Sequence, residues 1–399
     1  RNHVISNAFL TSQIQYHKEL PPFARRPLTS WLIDSTANIF RIRLGVAFIW
    51  VNFTLVFCSG ILLFFLSKTL IKSNWGINEN MVSPPLTPPE GEDRSYWFSI
   101  ANMVIYFFGF SILFAFFTPL FSYDEPLQYA MIFASFLALC HRKWILYIIF
   151  FSLALIARES TDFLVPALVC FFLDPGKKSI FPLSAEYTKK LAVLLSPVVL
   201  YAVFLVLFIW KMNLWTGTST EMTDRISCFA SNFKDQKSTM ESLSSVFLVL
   251  GLPLYFIWVT VGRNEMGPDF KKYTNAFWLT LAINTPIVLL TTFARESRLF
   301  ALPLFFLWPI FLPIFQREFR ILFSYRLYGS CFTRWQNATG LLVLGFINYL
   351  IAFKAYDSDY SQGPTPYYNW YFFLLLMTIT IHFILNRFLE GRLKLKTKS

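Results

Sequence analysis

The chain runs to 399 residues, of which 55% are apolar, 19% aromatic and only 15% charged, against roughly 25% charge in a soluble globular protein. That balance excludes a water-soluble enzyme, a disordered chain and a nucleic-acid-binding protein. The apolar residues gather into runs separated by short charged knots, so the expected fold class is all-α, a polytopic integral membrane helix bundle.

Residues 1–43 are polar and amphipathic and carry no signal peptide. Apolar spans follow near 44–67, 97–121, 127–140, 144–157, 163–173, 191–210, 245–261, 276–294, 299–315, 338–353 and 370–389, about eleven in all. Several are shorter than the roughly 20 residues that a perpendicular helix needs. The expected organisation is therefore a segment 1–43, a transmembrane bundle 44–389 and a basic tail 390–399. Ser83 to Asp93 is a Pro-rich linker that breaks helix and strand alike. The basic residues Arg387, Arg392, Lys394, Lys396 and Lys398 at this end read as an inner-leaflet anchor to anionic lipid. The five cysteines and four histidines show no disulfide or metal spacing. Neither a metal nor a cofactor is expected, and no glycine-rich phosphate loop precedes a helix. Asn102, Asn284 and Asn348 inside spans read as interhelical hydrogen bonders.

Orientation follows from the basic residues, which accumulate in cytoplasmic connections. Alternate connections carry 21 Lys and Arg on one side (68–96, 141–143, 174–190, 262–275, 316–337 and the tail from 386) and 14 on the other. The C-terminus is accordingly expected in the cytoplasm and segment 1–43 outside, in a bacterial inner membrane. An odd number of spans with an outside start implies one more helix before Arg1, twelve in all. Reading 144–173 as a single span would bury Arg158, Glu159 and Asp162 at its middle, at roughly 2.5–3.5 kcal/mol per charge. Two spans with the knot outside are expected instead.

Three outer connections are very short: Ser122–Pro126, Arg158–Asp162 and Arg295–Arg298. Their charges cannot leave the membrane surface, so they are expected to converge on a shared outer cavity. The bland alternative is that they stop helices and pair with one another, Arg158 and the 295–298 arginines with Glu159 and Glu296. Ala-Arg-Glu-Ser occurs at 157–160 and again at 294–297, followed in both copies by Phe and Pro at the same spacing. This is a hint of two similar helix hairpins.

The segment His17-Lys-Glu-Leu-Pro-Pro-Phe-Ala-Arg-Arg-Pro-Leu-Thr-Ser-Trp-Leu32 resembles the first outer loop of the GT-C superfamily of membrane glycosyltransferases, where a basic-Pro-Leu-x-x-Trp-Leu run leads into an amphipathic helix. Asp124 to Leu173 is similar to a later part of that fold: an outer-face acid, a helix, the basic turn His141-Arg142-Lys143, a second helix, a charged knot and a Pro-containing apolar segment. Together these cover about a quarter of the chain. The resemblance implies a GT-C-like bundle transferring a sugar from a polyprenyl-phosphate carrier at the outer face. One feature departs from the family: upstream of the Pro-Leu run, where its catalytic acid stands, the only acid is Glu19.

Such a transfer needs a base for the acceptor hydroxyl and cations for the departing phosphate. On that logic Asp124 and Glu125 are the candidate catalytic pair. Arg158, Arg295 and Arg298 are the candidate phosphate ligands, since the guanidinium fork binds two oxygens at once. Arg25 and Arg26 stand second, and Glu159 and Glu296 belong to the same substrate-binding cluster. The expected partners are membrane lipid, a polyprenyl-phosphate-linked sugar and a membrane-protein complex. The competing readings are a transporter or flippase of a lipid-linked substrate and a non-catalytic subunit that kept the fold.

Overall fold

The computed structural model describes residues 6–74, 94–115, 122–172, 185–212, 228–262, 268–294, 296–355 and 366–396. Every regular element among them is helical, with no strand among the described residues. Arg295 and the Pro-rich linker 83–93 lie outside them.

Three helices precede the first long apolar one: α1 (Asn7–Glu19), α2 (Pro21–Ala24) and α3 (Pro27–Phe40). The Ser6 hydroxyl accepts the Phe9 N–H and caps α1. Prolines open α2 and α3, where a missing N–H costs nothing. Leu10, Ile14, Ile33 and Ala37 from these helices pack on Ala47 and Phe48 of α4 (Leu44–Asn74), together with Tyr123. This small core docks the N-terminal segment on the end of the bundle that carries Asp124.

Six helices are long and apolar enough to cross a membrane among the described residues: Leu44–Lys72, Thr188–Met212, Gln236–Val261, Lys271–Thr291, Trp335–Ala355 and Tyr367–Arg392. Ser297–Phe306 with Trp308–Ile314, bent by 51°, makes a seventh if counted as one span. Thr188–Met212 presents Val199, Val203, Val206, Leu207 and Trp210 more than half exposed. Such a surface suits acyl chains and not water. The other four predicted spans form shorter elements. Of the 97–121 run, whose residues 116–121 lie outside the described ones, the rest gives α5 (Arg94–Phe108), a break at Gly109 and α6 (Phe110–Leu113). The next two give α7 (Glu125–Cys140) and α8 (Trp144–Ala157), about 24 and 21 Å long at 1.5 Å per residue, short of a hydrocarbon core of about 30 Å. The fourth gives a 3-10 helix, Glu159–Leu164, and then α9 (Val165–Phe172). The charged knot 158–162 is thus a break between helices and not the middle of one.

α7 shows how an apolar run can fall short of crossing length in this bundle. Nearly every residue from Glu125 to Leu139 is buried, because α7 packs between α4 and α8 inside the bundle and meets protein where a spanning helix would meet lipid. The principal core around it is aromatic: Phe133 against Phe305 at 4.9 Å between centroids, and Tyr106 edge-on to Trp308 at 5.0 Å. At Gly60 a Cβ would stand 2.2 Å from the Phe107 ring, so only glycine lets α4 and α5 approach this closely.

The bent span needs its own support. Its first part is a ten-residue 3-10 helix containing Pro303, an unusual length for that geometry, and Pro309 at the break cannot donate. Asn102 of α5 fills the gap: its amide donates to the Pro309 carbonyl at 2.9 Å and its oxygen accepts the Leu312 N–H at 2.8 Å. Asn284 donates to the Leu299 carbonyl at 2.9 Å, and Asn348 to the Thr380 hydroxyl at 2.8 Å. All three intraspan asparagines therefore bond between segments. His382, also buried, is held between the Tyr255 hydroxyl at 2.8 Å and Glu318 at 2.7 Å.

Candidate functional site

The three short knots meet at one end of the bundle. Asp124 precedes α7, and Glu125 opens it with Pro126 in its first turn. Arg158 is an extended residue that stops α8, and Glu159 begins the 3-10 turn behind it. Glu296 precedes the 3-10 helix Ser297–Phe306, in whose first turn Arg298 lies. From the N-terminal segment, Arg25 and Arg26 sit in the junction between α2 and α3.

Around these residues is a cavity of about 350 Å³, lined by Arg25, Arg26, Glu125, Arg158, Glu159 and Arg298 on its polar side. Phe163, Ile287, Val288, Leu299 and Leu302 form its apolar wall. Asp124 is buried and is not part of the lining; it stands behind Arg26, with Oδ2 3.8 Å from Arg26 Nη1 and 3.8 Å from His17 Nδ1. Glu296 is likewise outside the lining and touches Arg298 at 3.0 Å. Arg295 lies outside the described residues.

The pairing runs across the knots and not within them, except at Arg298. Glu125 accepts from Arg158 and forms an ion pair with Arg298 Nε at 2.8 Å, and its second oxygen accepts the Tyr123 N–H at 3.0 Å. Glu159 is gripped by Arg26 through two bonds, 2.7 and 2.5 Å, in the fork geometry that suits a carboxylate. In-sequence partnership of Arg158 with Glu159 is thus replaced by two long-range pairs. Most of the cluster's buried charge is paired internally, as burial of charge demands, while Asp124 Oδ1 makes no hydrogen bond among the described residues.

Electrostatics separate the carboxyls. Burial pushes Asp124 up to about 7, against the pull of Arg26. Burial also lowers His17 to about 3, so its ring is neutral at physiological pH. At Glu159 burial raises the pKa, but the charge and hydrogen bonds of Arg26 outweigh it and hold the carboxyl at about 2. The neutral His17 ring stacks on Tyr123 at 3.7 Å, and the Tyr123 hydroxyl shares a 2.8 Å hydrogen bond with Ser30.

Three contributors were not legible as site residues. His17 showed no ligand spacing. Gln128, one turn into α7, donates to Thr161 at 2.8 Å and Ser160 at 3.2 Å, tying α7 to the 158–162 knot. Asn232, in a short helix Cys228–Asn232, donates to the carbonyls of Leu289 and Thr292 and accepts from the Ala294 N–H at 2.9 Å. It thereby ends the helix Pro268–Thr291 and sets the entry to the 295–298 knot. No local pattern marks either residue, because each acts on a segment distant in sequence. Among the described residues no group of three or more His, Cys, Asp or Glu is arranged to hold a metal ion.

Compared with known protein families, curated proteins and solved structures, the chain matches none.

Proposed function

We propose that this chain is a membrane glycosyltransferase of the GT-C kind, or a relative of one, that takes a polyprenyl-phosphate-linked sugar into the cavity beside Arg25, Arg26, Arg158 and Arg298. The observation that carries the reading is the lining itself: four guanidiniums against two carboxylates, facing an apolar wall. Its formal charge of about +2 suits a phosphate head, and the wall of Ile287, Val288, Leu299 and Leu302 suits the first units of an apolar tail. Arg26 turning toward the phosphate would release Glu159, the more open of the two lining carboxylates, to accept the proton of an acceptor hydroxyl. With this reading go eleven or twelve spans, a bacterial inner membrane and a cytoplasmic C-terminus.

A second reading has its own support. Both lining carboxylates are engaged by arginine, and the bent 297–314 segment brings Arg298 to the cavity from a discontinuous span, an arrangement in which transporters hold anionic substrates. A flippase of the same lipid-linked substrate would use the cavity without a base.

The test is equilibrium binding of a short-chain polyprenyl phosphate to the purified protein in detergent. Arg25→Ala is expected to weaken binding about tenfold, from loss of a charge-assisted contact of roughly 1.5–3 kcal/mol, with Arg25→Lys restoring part of it. Unchanged affinity in both Arg25→Ala and Arg158→Ala proteins that retain their fold would remove the reading. Transfer of radiolabelled sugar to an acceptor, against movement of the intact lipid between leaflets, separates enzyme from flippase.

A further inference from the structure

A second cavity, of about 690 Å³, lies at the other end of the same helices. Glu125 opens α7 at the first cavity and Cys140 closes α7 at the second, about 22 Å away along the helix axis. The long helix Pro268–Thr291 repeats the relation, with Lys272 and Tyr273 at the second cavity and Val288 and Thr291 at the first.

The second cavity's charge is one-sided. Arg142, Lys189, Lys190 and Lys272 line it, and no carboxylate does among the described residues. Arg142 is placed by the tight turn between α7 and α8, where it takes a left-handed backbone with φ 55°. Lys189 and Lys190 come from the start of α10 (Ala185–Met212), and Lys272 lies with its ammonium 4.2 Å from the centroid of the Phe171 ring. Trp144, Leu194 and Phe171 supply an apolar floor. Beneath it a recess of about 40 Å³ with no polar lining continues between Phe136, Leu168 and Phe306 and shares Cys140 and Phe171 with the larger cavity. A cationic mouth over an apolar recess is built for an amphiphile with an anionic head. The four cations belong to the connections 141–143, 174–190 and 262–275, whose basic excess assigns them to the cytoplasmic leaflet. Basic pockets between helices on that face bind anionic lipid heads.

We infer that this cavity is a binding site for a phosphate-bearing lipid of the cytoplasmic leaflet, separate from the arginine-lined cavity at the opposite end. The chemistry recognised is a phosphate oxygen cluster, which a phospholipid head or a free phosphate ester could each provide. The apolar floor of Trp144, Leu194 and Phe171 favours the lipid.

Native mass spectrometry of the full chain, delipidated in detergent, tests this with three probes: phosphatidylglycerol, phosphatidylcholine and glycerol 3-phosphate. Phosphatidylglycerol is expected to bind at least tenfold tighter than either of the others. Lys189→Gln combined with Lys190→Gln and Lys272→Gln is expected to weaken it tenfold or more. Lys143→Gln, an exposed cation beside the cavity but outside its lining, should leave it unchanged. Lys272→Gln alone, which preserves the other two charges, should shift binding in the same direction if the triple variant does not fold. Equal binding of phosphatidylglycerol and phosphatidylcholine, equal losses in Lys143→Gln and Lys272→Gln, or no loss in either lining variant would overturn the proposal. Glycerol 3-phosphate binding as tightly as phosphatidylglycerol would overturn the assignment to lipid.

Discussion

Arg26 and Glu159, 133 positions apart, join the N-terminal segment to the bundle through two parallel hydrogen bonds of 2.7 and 2.5 Å. The pair is asymmetric. Arg26 is 9% exposed and Glu159 34%, so the two single removals leave different orphans. Arg26→Ala leaves a carboxylate that water can reach, whereas Glu159→Ala leaves a buried guanidinium with Asp124 at 3.8 Å as its nearest acid. Glu159→Ala is therefore expected to cost more, on the order of 3 kcal/mol, and Arg26→Ala less. Removing both should cost less than the sum of the two. Thermal unfolding of the four proteins in one detergent measures the cycle, and additive losses would show that the pair does not couple.

His17 and Asp124 exchange a proton preference on folding. An unfolded chain protonates His17 below 6.5, while in the fold burial holds its pKa near 3. Stability from His17 is therefore lost as pH falls below 6.5. Asp124 runs the other way: its pKa rises from 3.8 to about 7, so stability is greatest at low pH and is lost as pH rises toward 7. Between pH 5 and 6.5 the two slopes oppose, each at most about 1.4 kcal/mol per pH unit. Glu159, lowered from 4.5 to about 2, acts below that window. The wild-type protein should show little pH dependence of stability from this pair. Asp124→Asn should become more stable as pH rises through the window, and His17→Gln less stable. Parallel slopes in the two variants would contradict the assignment of the proton to Asp124.

Where the charge clusters would fall was legible, because in a chain this apolar a knot such as Arg158–Asp162 has nowhere to sit but a helix end. Who pairs with whom was not. Adjacent residues in a tight turn face different ways, so Arg158 meets Glu125 and Glu159 meets Arg26, and no local pattern encodes those directions. Among the described residues six helices reach crossing length against the eleven or twelve spans expected, and α7 shows one reason. Hydropathy sees the apolar run 127–140 but not that the bundle buries most of α7. A 3-10 helix begins at each copy of Ala-Arg-Glu-Ser, at Glu159 in the first and at Ser297 in the second.

Asn102 offers a test of the bent span. Its side chain satisfies one carbonyl and one N–H at the break. Asn102→Ala should cost about 1–3 kcal/mol for each group left buried and bare. Asn102→Asp keeps only the acceptor and should not rescue the protein. Thermal unfolding of both variants checks this, and a loss under 1 kcal/mol in Asn102→Ala would mean that the break is supported by other groups, such as the nearby Ser67 hydroxyl, which also donates to Pro309.

Glu125 can serve as chemistry or as counter-ion, and the geometry sets the two roles against each other. Both of its oxygens are engaged, by Arg158, Arg298 and the Tyr123 N–H, and its side chain is almost fully buried. A counter-ion role predicts that Glu125→Gln, which keeps the shape but removes the charge between two guanidiniums, destabilises the protein by roughly 3–5 kcal/mol. Glu125→Asp should recover part of that, since charge is kept at a shorter reach. Adding Arg298→Gln to Glu125→Gln should also recover stability, because one of the two facing cations is then removed. A catalytic role predicts the reverse pattern: near-normal stability in Glu125→Gln, normal binding of polyprenyl phosphate, and no sugar transfer. Measuring unfolding, lipid-phosphate affinity and transfer on the same three proteins decides between the roles. The engaged oxygens lead us to expect the counter-ion pattern, with Glu159 left as the carboxylate that faces the cavity and can be released.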